Sequence, residues 1–446
     1  MKIFFSGIGG SGVSAIAGFM AGKGHEISGS DRLFDVSAVH PLRKRLEENG
    51  VSIFPQTGEG MNETFDLAVF STSVERGNPD FRKAESLSIP LKTRPEYLAD
   101  IVSGYRSIAV AGTSGKSTTS GMLAFLMKRL GLEPNFIGGG KVKQFRTSGN
   151  PGNYLCGASD LLVIEACESD GTLVNYMPRH SIILNLALDH HSIDETARMF
   201  EKLVENTAEF AMVNADDKNL VSCAFRNARS YSLHNQSQYQ AREVVYHPLS
   251  TRFKLNGCAY ELSLPGEYNL YNAVACISFL SEFGIPGEAI ATALPEFTGI
   301  ERRFDIHLNN GKYLVVDDYA HNPHKIENLM TAMEKISRNI CYIFQPHGYG
   351  PTRLMKEGYI ETFAKGLGSS DHLMLLPIYY AGGTAAKDIA SEDLLPGIRA
   401  AGKSADVIRE RMSIFENFPH WDAYVVLGAR DDTLSDFAEE IAARLG

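Results

Sequence analysis

Residues 2–6, Lys2-Ile3-Phe4-Phe5-Ser6, form an apolar, β-prone run that stops at a cluster of glycines, and the apolar stretch 13–20 that follows reads as a helix. Strand, turn, helix is thus the opening unit. A second such unit starts at Ile27, and residues 67–71 are another short run of buried-strand type, so a parallel sheet is predicted over the first hundred or so residues. The pattern recurs from Ser107, where a strand over 107–111 feeds a second glycine-rich turn and a long apolar helix through Leu130. Further buried strands are predicted at 161–164, 181–185 and 211–214. Near Gly299 to Arg303 the pattern restarts, with strands at 313–316, 340–344, 372–376 and 423–427 separated by helical stretches, a unit of doubly wound type.

The 446 residues suit about three domains, placed at 1–105, 106–298 and 299–446. A content of 44% hydrophobic and 22% charged residues excludes a disordered or fibrous chain. The formal net charge of -10 argues against a general binder of nucleic acid or of membrane surfaces, so any anionic ligand must meet local positive charge. The opening apolar run is too short for a signal peptide, and no run is long enough to span a bilayer. Six scattered cysteines without a C-x-x-C pair fit reduced thiols in a cytoplasm, each expected as a small buried side chain.

Two glycine-rich turns carry the candidate chemistry. Gly7-Ile8-Gly9-Gly10-Ser11-Gly12 lies between a strand and a helix, where glycines let the backbone approach a pyrophosphate at the helix N-terminus. A UDP site, an NAD site and a plain tight turn explain it equally. Asp31 sits where an acidic residue would meet a ribose hydroxyl, or it caps a helix. Gly112-Thr113-Ser114-Gly115-Lys116-Ser117-Thr118 is a shortened P-loop, in which backbone amides cradle phosphates, Lys116 reaches the β and γ phosphates and the Ser117 hydroxyl ligates magnesium. Val163-Ile164-Glu165-Ala166-Cys167-Glu168-Ser169-Asp170 puts carboxylates at a strand end, with Glu165 the metal candidate; Glu168 and Asp170 fit helix-start acids equally well. His190, in Asn185-Leu186-Ala187-Leu188-Asp189-His190-His191, follows the next strand and joins Glu165 as a metal candidate.

Together with Gly266-Glu267-Tyr268-Asn269-Leu270-Tyr271-Asn272 and Asp317-Asp318-Tyr319-Ala320-His321-Asn322-Pro323, these motifs resemble the Mur ligases over nearly the whole chain. The resemblance implies three α/β domains: a Rossmann-like one for a UDP-sugar, a P-loop ATPase-like one for ATP, and a Rossmann-like one that closes with the amino substrate. It implies a cytoplasmic ATP-dependent ligase of peptidoglycan precursor synthesis. The carboxylate of UDP-N-acetylmuramate becomes an acyl phosphate and is joined to the amine of an amino acid, L-alanine in the branch this chain is most similar to, or of a short peptide. Lys116 would hold ATP phosphates, Ser117 and Glu165 one magnesium, Glu165 and His190 a second. Asn269 and Asn272 would flank the adenine, Arg303 contact phosphate and Asp318 meet the nucleotide ribose. Gly7, Gly9, Gly10, Ser11, Gly12, Asp31 and Ser71 would serve the UDP-sugar, and Tyr319, His321, His347 and Arg353 the amino substrate.

Departures fall in the last third. The alanine-adding branch carries histidine where Ser114 stands, and Q-P-H-R-Y-T-R-T-R where this chain has Gln345-Pro346-His347-Gly348-Tyr349-Gly350-Pro351-Thr352-Arg353. Gly348 and Pro351 thus remove two cations placed near the amino acid's carboxylate. Arg430 is a candidate substitute. No lysine stands where several relatives carry a carbamylated one, Lys202 being off-register. Three readings compete with an alanine-adding ligase: a ligase attaching a preformed murein peptide, a non-catalytic UDP-sugar and ATP binder, and an NAD-dependent dehydrogenase or sensor suggested by the first loop alone.

Overall fold

The computed structural model describes residues 1–36, 40–189, 191–380, 386–418, 420–431 and 433–446. Its first sheet has five parallel strands in the order Ser52–Phe54, Glu26–Ser30, Lys2–Ser6, Leu67–Phe70, Leu91–Thr93. Alternation along the first strand explains why its run is apolar throughout. Ile3 and Phe5 join one core cluster and Phe4 another, so both faces of the sheet are covered. Truncating either fully buried phenylalanine to alanine would cost roughly 3–5 kcal/mol.

The central sheet runs Tyr239–Gln240, Ala228–Ser232, Phe210–Asn214, His180–Ile183, Arg106–Ala111, Leu161–Glu165, Asn135–Ile137, Tyr154–Leu155, parallel except for its last pair. From Arg106–Ala111 the chain crosses to one side of the sheet and later to the other, which opens a crevice beyond the carboxyl ends of these strands. A three-stranded antiparallel sheet, Arg242–Tyr246, Thr251–Leu255 and Cys258–Leu262, is appended.

Residues 153–157 lie along the helix Ser11–Gly22. Lys23 donates its ammonium to Gly157 O at 2.8 Å, the Cys156 thiol reaches Phe19 O at 3.5 Å, and Asn153 donates to Ser11 O at 3.2 Å. One apolar cluster runs from Phe19, Tyr97 and Val102 to Ala109, Ile164 and Leu186, so the first two sheets share a core. Met1–Thr298 accordingly forms one compact unit and Gly299–Gly446 another.

The second unit has a six-stranded sheet in the order Asp305–Asn309, Leu314–Asp318, Ala423–Gly428, Ile340–Gln345, His372–Leu375, Ala405–Val407, antiparallel only at its first pair. The fold is therefore three α/β domains. Among the described residues no helix is long and apolar enough to cross a membrane. All six cysteines are free thiols, but only Cys276 and Cys341 are buried; Cys156, Cys167, Cys223 and Cys258 keep partial exposure, which corrects the expectation of small core side chains. Their contacts show why: Cys156 and Cys167 lie in loops at the seam and at the P-loop.

Candidate active site

The buried strand Arg106–Ala111 delivers the P-loop to the crevice, and the helix Lys116–Arg129 carries it away. Gly115 caps that helix at φ 85°, and a Cβ there would come within 2.5 Å of Asn272 Oδ1, so glycine alone fits both the backbone and the approach of Asn272. Asn269, one turn before Asn272 on the helix Glu267–Glu282, donates to Pro265 O at 2.8 Å. Asn185 braces the loop from the neighbouring strand end. Its Oδ1 accepts from Thr113 Oγ1 at 2.9 Å and Ser114 N at 2.8 Å, and its Nδ2 donates to Ser114 O at 3.0 Å. Ser114 to Thr118 are left partly exposed to the crevice.

Lys116 donates to Gly112 O at 2.7 Å and forms an ion pair with Glu168 at 2.8 Å. Burial alone would lower the lysine's pKa, but Glu168, Cys167 and Glu165 outweigh it and hold the pKa above its ordinary value. The ammonium therefore stays charged. Glu168 and Asp170 do not begin an α-helix. Glu168 is buried against Lys116, while Asp170 accepts from Thr172 N at 3.1 Å, just before the single turn Thr172–Asn175, and pairs with Arg94.

Ser117 Oγ lies 3.0 Å from both Glu165 oxygens, and Glu165 Oε2 also accepts from Gly139 N at 2.9 Å. A hydroxyl facing a carboxylate is a hard oxygen pair of the kind Mg²⁺ takes, the rest of its octahedron coming from phosphates and water. These residues fit a magnesium held with a nucleotide. Among the described residues no three His, Cys, Asp or Glu side chains gather into a ready-made cage. His190, the other metal candidate, lies outside the described residues.

In the first sheet, residues 7–12 link Lys2–Ser6 to Ser11–Gly22, and the backbone of Gly7 and Ile8 is tied to Ser30 O at 2.8 and 3.1 Å. Asp31 accepts from Gly9 N at 2.8 Å and from Leu33 N at 2.9 Å, so it holds the glycine loop while capping the short helix Arg32–Val36. Gly10 N bonds Gly7 O at 3.3 Å, Ser11 O receives Asn153, and Gly12 faces Arg94. Ser71 N donates to Ser6 O at 2.9 Å, which puts its hydroxyl beside the loop. Sequence reasoning missed a buried support below them: Asp80, fully buried, accepts from Ser6 Oγ at 2.8 Å, Gly58 N at 2.8 Å and the Ser30 hydroxyl.

In the second unit, Tyr319, His321 and His347 gather at the carboxyl ends of the strands. The rings of His321 and His347 are 5.2 Å apart, and those of Tyr319 and His321 5.6 Å. His321 Nδ1 lies 2.9 Å from Tyr319 O, and because a carbonyl only accepts, Nδ1 carries the proton and Nε2 is left as an acceptor. Burial pushes the His321 pKa down to about 4, and burial followed by Arg430 lowers that of His347. Arg303 lies 5.1 Å over the Tyr319 ring and is partly exposed. Its neighbour Arg302 is structural, with Nε 3.2 Å from Asp317 and its Nη atoms on Asp431 O and Gly428 O. Asp318 already holds Phe304 N at 2.6 Å and Ala320 N at 2.7 Å. Arg353 is exposed and paired with Asp388, and Arg430 is exposed with its backbone N 3.3 Å from Tyr319 Oη.

A P-loop with a carboxylate facing its serine, sharing one core with a second glycine loop, defines an enzyme that works on nucleotide phosphates. Profiles of the Mur ligase family, catalytic domain, of the Mur ligase middle domain and of the Mur ligase, glutamate ligase domain match residues 2–106, 110–280 and 302–430. The chain belongs to the Mur ligase family, and it is an ATP-dependent ligase. It is 32% identical over 425 residues to a UDP-N-acetylmuramate–L-alanine ligase of Francisella tularensis subsp. novicida, covering 89% of this chain and 90% of the relative. A ligase of the same name from Stenotrophomonas maltophilia is 33% identical over 431 residues, covering 91% and 87%. The crystal structure of the UDP-N-acetylmuramate–alanine ligase of Thermotoga maritima superposes with a TM-score of 0.81 at 25% identity, over 100% of this chain and 99% of that one. A murein peptide ligase of Psychrobacter arcticus shares the fold, with a TM-score of 0.70 at 21% identity over 100% and 99%.

Proposed function

We propose that the chain joins the carboxylate of UDP-N-acetylmuramate, through an acyl phosphate, to the amino group of L-alanine in cytoplasmic peptidoglycan precursor synthesis. The observation that carries this is the pairing of the Lys116, Ser117 and Glu165 cluster with the glycine loop of residues 7–12 in one compact unit, in a chain that matches alanine ligases over most of its length. Residues 1–105 would hold the UDP-sugar, 106–298 ATP, and 299–446 the amino substrate.

Each role follows from charge. A carboxylate attacking a polyanionic γ-phosphate meets repulsion, and Lys116 and Arg303 would offset it while charge develops on the transferring group. Asn185 keeps the loop's amides aimed at the phosphates, and Asn272 supports it from the adenine side. Magnesium, one ion held by Ser117 and Glu165 and a second by Glu165 and His190, would supply further positive charge when bound. Neutral His321, with Nε2 as acceptor, is suited to accept a hydrogen bond from the attacking amine and orient it, its lowered pKa making it a weak base.

The second reading, attachment of a murein peptide, is favoured by one observation: Arg353, left as the cation for an amino acid's carboxylate, is committed to Asp388. Incubating the protein with UDP-N-acetylmuramate, ATP, magnesium and either L-alanine or a murein tripeptide, with phosphate release and product mass as readouts, separates the two. Product with the tripeptide alone would replace the first reading by the second. Product with neither would remove both.

A further inference from the structure

A diphosphate is a dianion, yet no lysine or arginine occurs between Phe5 and Lys23, so the glycine loop offers it backbone amides and the helix dipole but no cation of its own. In a chain of net charge -10 that shortfall needs a neighbour. The structure brings one. Arg94 opens the helix Arg94–Ser103, whose start is fixed by a capping box between Thr93 and Glu96. Its side chain crosses the beginning of Ser11–Gly22: a methyl group added at Gly12 would lie 3.5 Å from Arg94 Cδ, 3.9 Å from Nη1 and 4.0 Å from Nε.

The guanidinium is divided between two tasks. Nη2 bonds Asp170, in the segment that also carries Glu165 and Glu168, while Nη1 and Nε are turned toward Gly12. A second group at this helix start points to a ligand. Asn153 is only 3% exposed and gives its Nδ2 to Ser11 O, while its Oδ1 finds no donor among the described residues. A buried amide oxygen without a partner is costly unless a ligand or water supplies a donor, so Asn153 Oδ1 suits a hydroxyl or N–H of the nucleotide-sugar and leaves the diphosphate, which only accepts, to Arg94.

We infer that Arg94 is the cation that completes the diphosphate site of the glycine loop, with Asp170 as its positioning residue. This rests on reading the loop as the UDP-sugar site. One guanidinium then touches the UDP-sugar and, through Asp170, the segment that faces the P-loop.

The test is titration calorimetry of wild type, Arg94→Ala, Arg94→Lys and Asp170→Asn with UDP and with uridine, which lacks the diphosphate. Arg94→Ala is expected to weaken UDP about ten- to a hundredfold, the range for a charge-assisted hydrogen bond, and to change uridine less than twofold. Arg94→Lys, which keeps the charge but not the fork, recovers part of the loss, and Asp170→Asn weakens UDP by a smaller factor. Arg94→Ala binding UDP as wild type does, or losing UDP and uridine in equal measure, overturns the inference. Should Arg94→Ala not fold, equal UDP affinity in Arg94→Lys and wild type overturns it. Wild type failing to bind UDP overturns the reading of the loop itself, a result separate from any effect of the variants.

Discussion

Lys116 is held between Gly112 O and Glu168, so a phosphate drawn to it competes with a carboxylate already paired with the ammonium. Lys116→Ala removes that cation and should abolish ATP-dependent phosphate release. UDP-sugar affinity should stay near wild type, because the glycine loop hangs from a different sheet. Calorimetry with UDP beside a phosphate-release assay checks both halves; retained turnover would remove Lys116 from the mechanism. Glu165→Gln keeps the shape facing Ser117 but deletes a charge, so the magnesium concentration for half-maximal activity should rise severalfold, as a magnesium titration of the initial rate would show. An unchanged magnesium dependence would place the ion elsewhere.

One helix start bears directly on the amino-substrate role proposed for the second unit. Gly348 caps Tyr349–Gly366 at φ 68°, a left-handed conformation that side chains resist, and Pro351 lies in the first turn of that helix. Gly348→Arg should therefore cost about 1–2 kcal/mol of stability, seen in denaturant melts, whatever it does for the substrate. Pro351→Arg carries no such strain and is the cleaner probe: if cations here bind the amino acid's carboxylate, it lowers the KM for L-alanine about tenfold. No change in KM would put carboxylate recognition on other residues. At this scale the sequence was informative where a feature is local. Both glycine loops, the strands feeding them and the Ser117 and Glu165 candidates were legible because each rests on a few adjacent residues. The Asp80 support under Ser6 and Ser30, the Asn185 brace and the Lys116–Glu168 pair were not, since partners brought together by strand order leave no periodic trace. Arg302 and Arg303 are adjacent cations in sequence; only burial separates the structural one from the partly exposed one.

The stability of the first unit should depend on acid through His180, whose ring is wedged against Phe210, Phe279 and Phe283 at 4.5, 5.5 and 5.2 Å. Burial lowers its pKa to about 4, against 6.5 for the free side chain. Between those values the unfolded chain takes up a proton that the folded one refuses, so stability falls as pH drops from 6.5 toward 4, by up to about 1.4 kcal/mol per pH unit. His180→Leu should flatten that dependence in urea melts at pH 6.5 and 4.5; an unaltered slope would assign it to other groups. The seam along residues 153–157 has a different kind of consequence. The first two domains are separate in topology but not in folding, since dividing them would expose Phe19, Tyr97 and Tyr154 to water. Limited proteolysis should thus release a fragment near residues 1–298 well before any near 1–105, and mass spectrometry of the digest would reveal the reverse order if the seam were weak. For exchange of parts among ligases of this family, whether by recombination or by design, the seam defines the portable pieces: residues 1–298 travel as a single cassette, and residues 299–446 are the piece to be swapped alone.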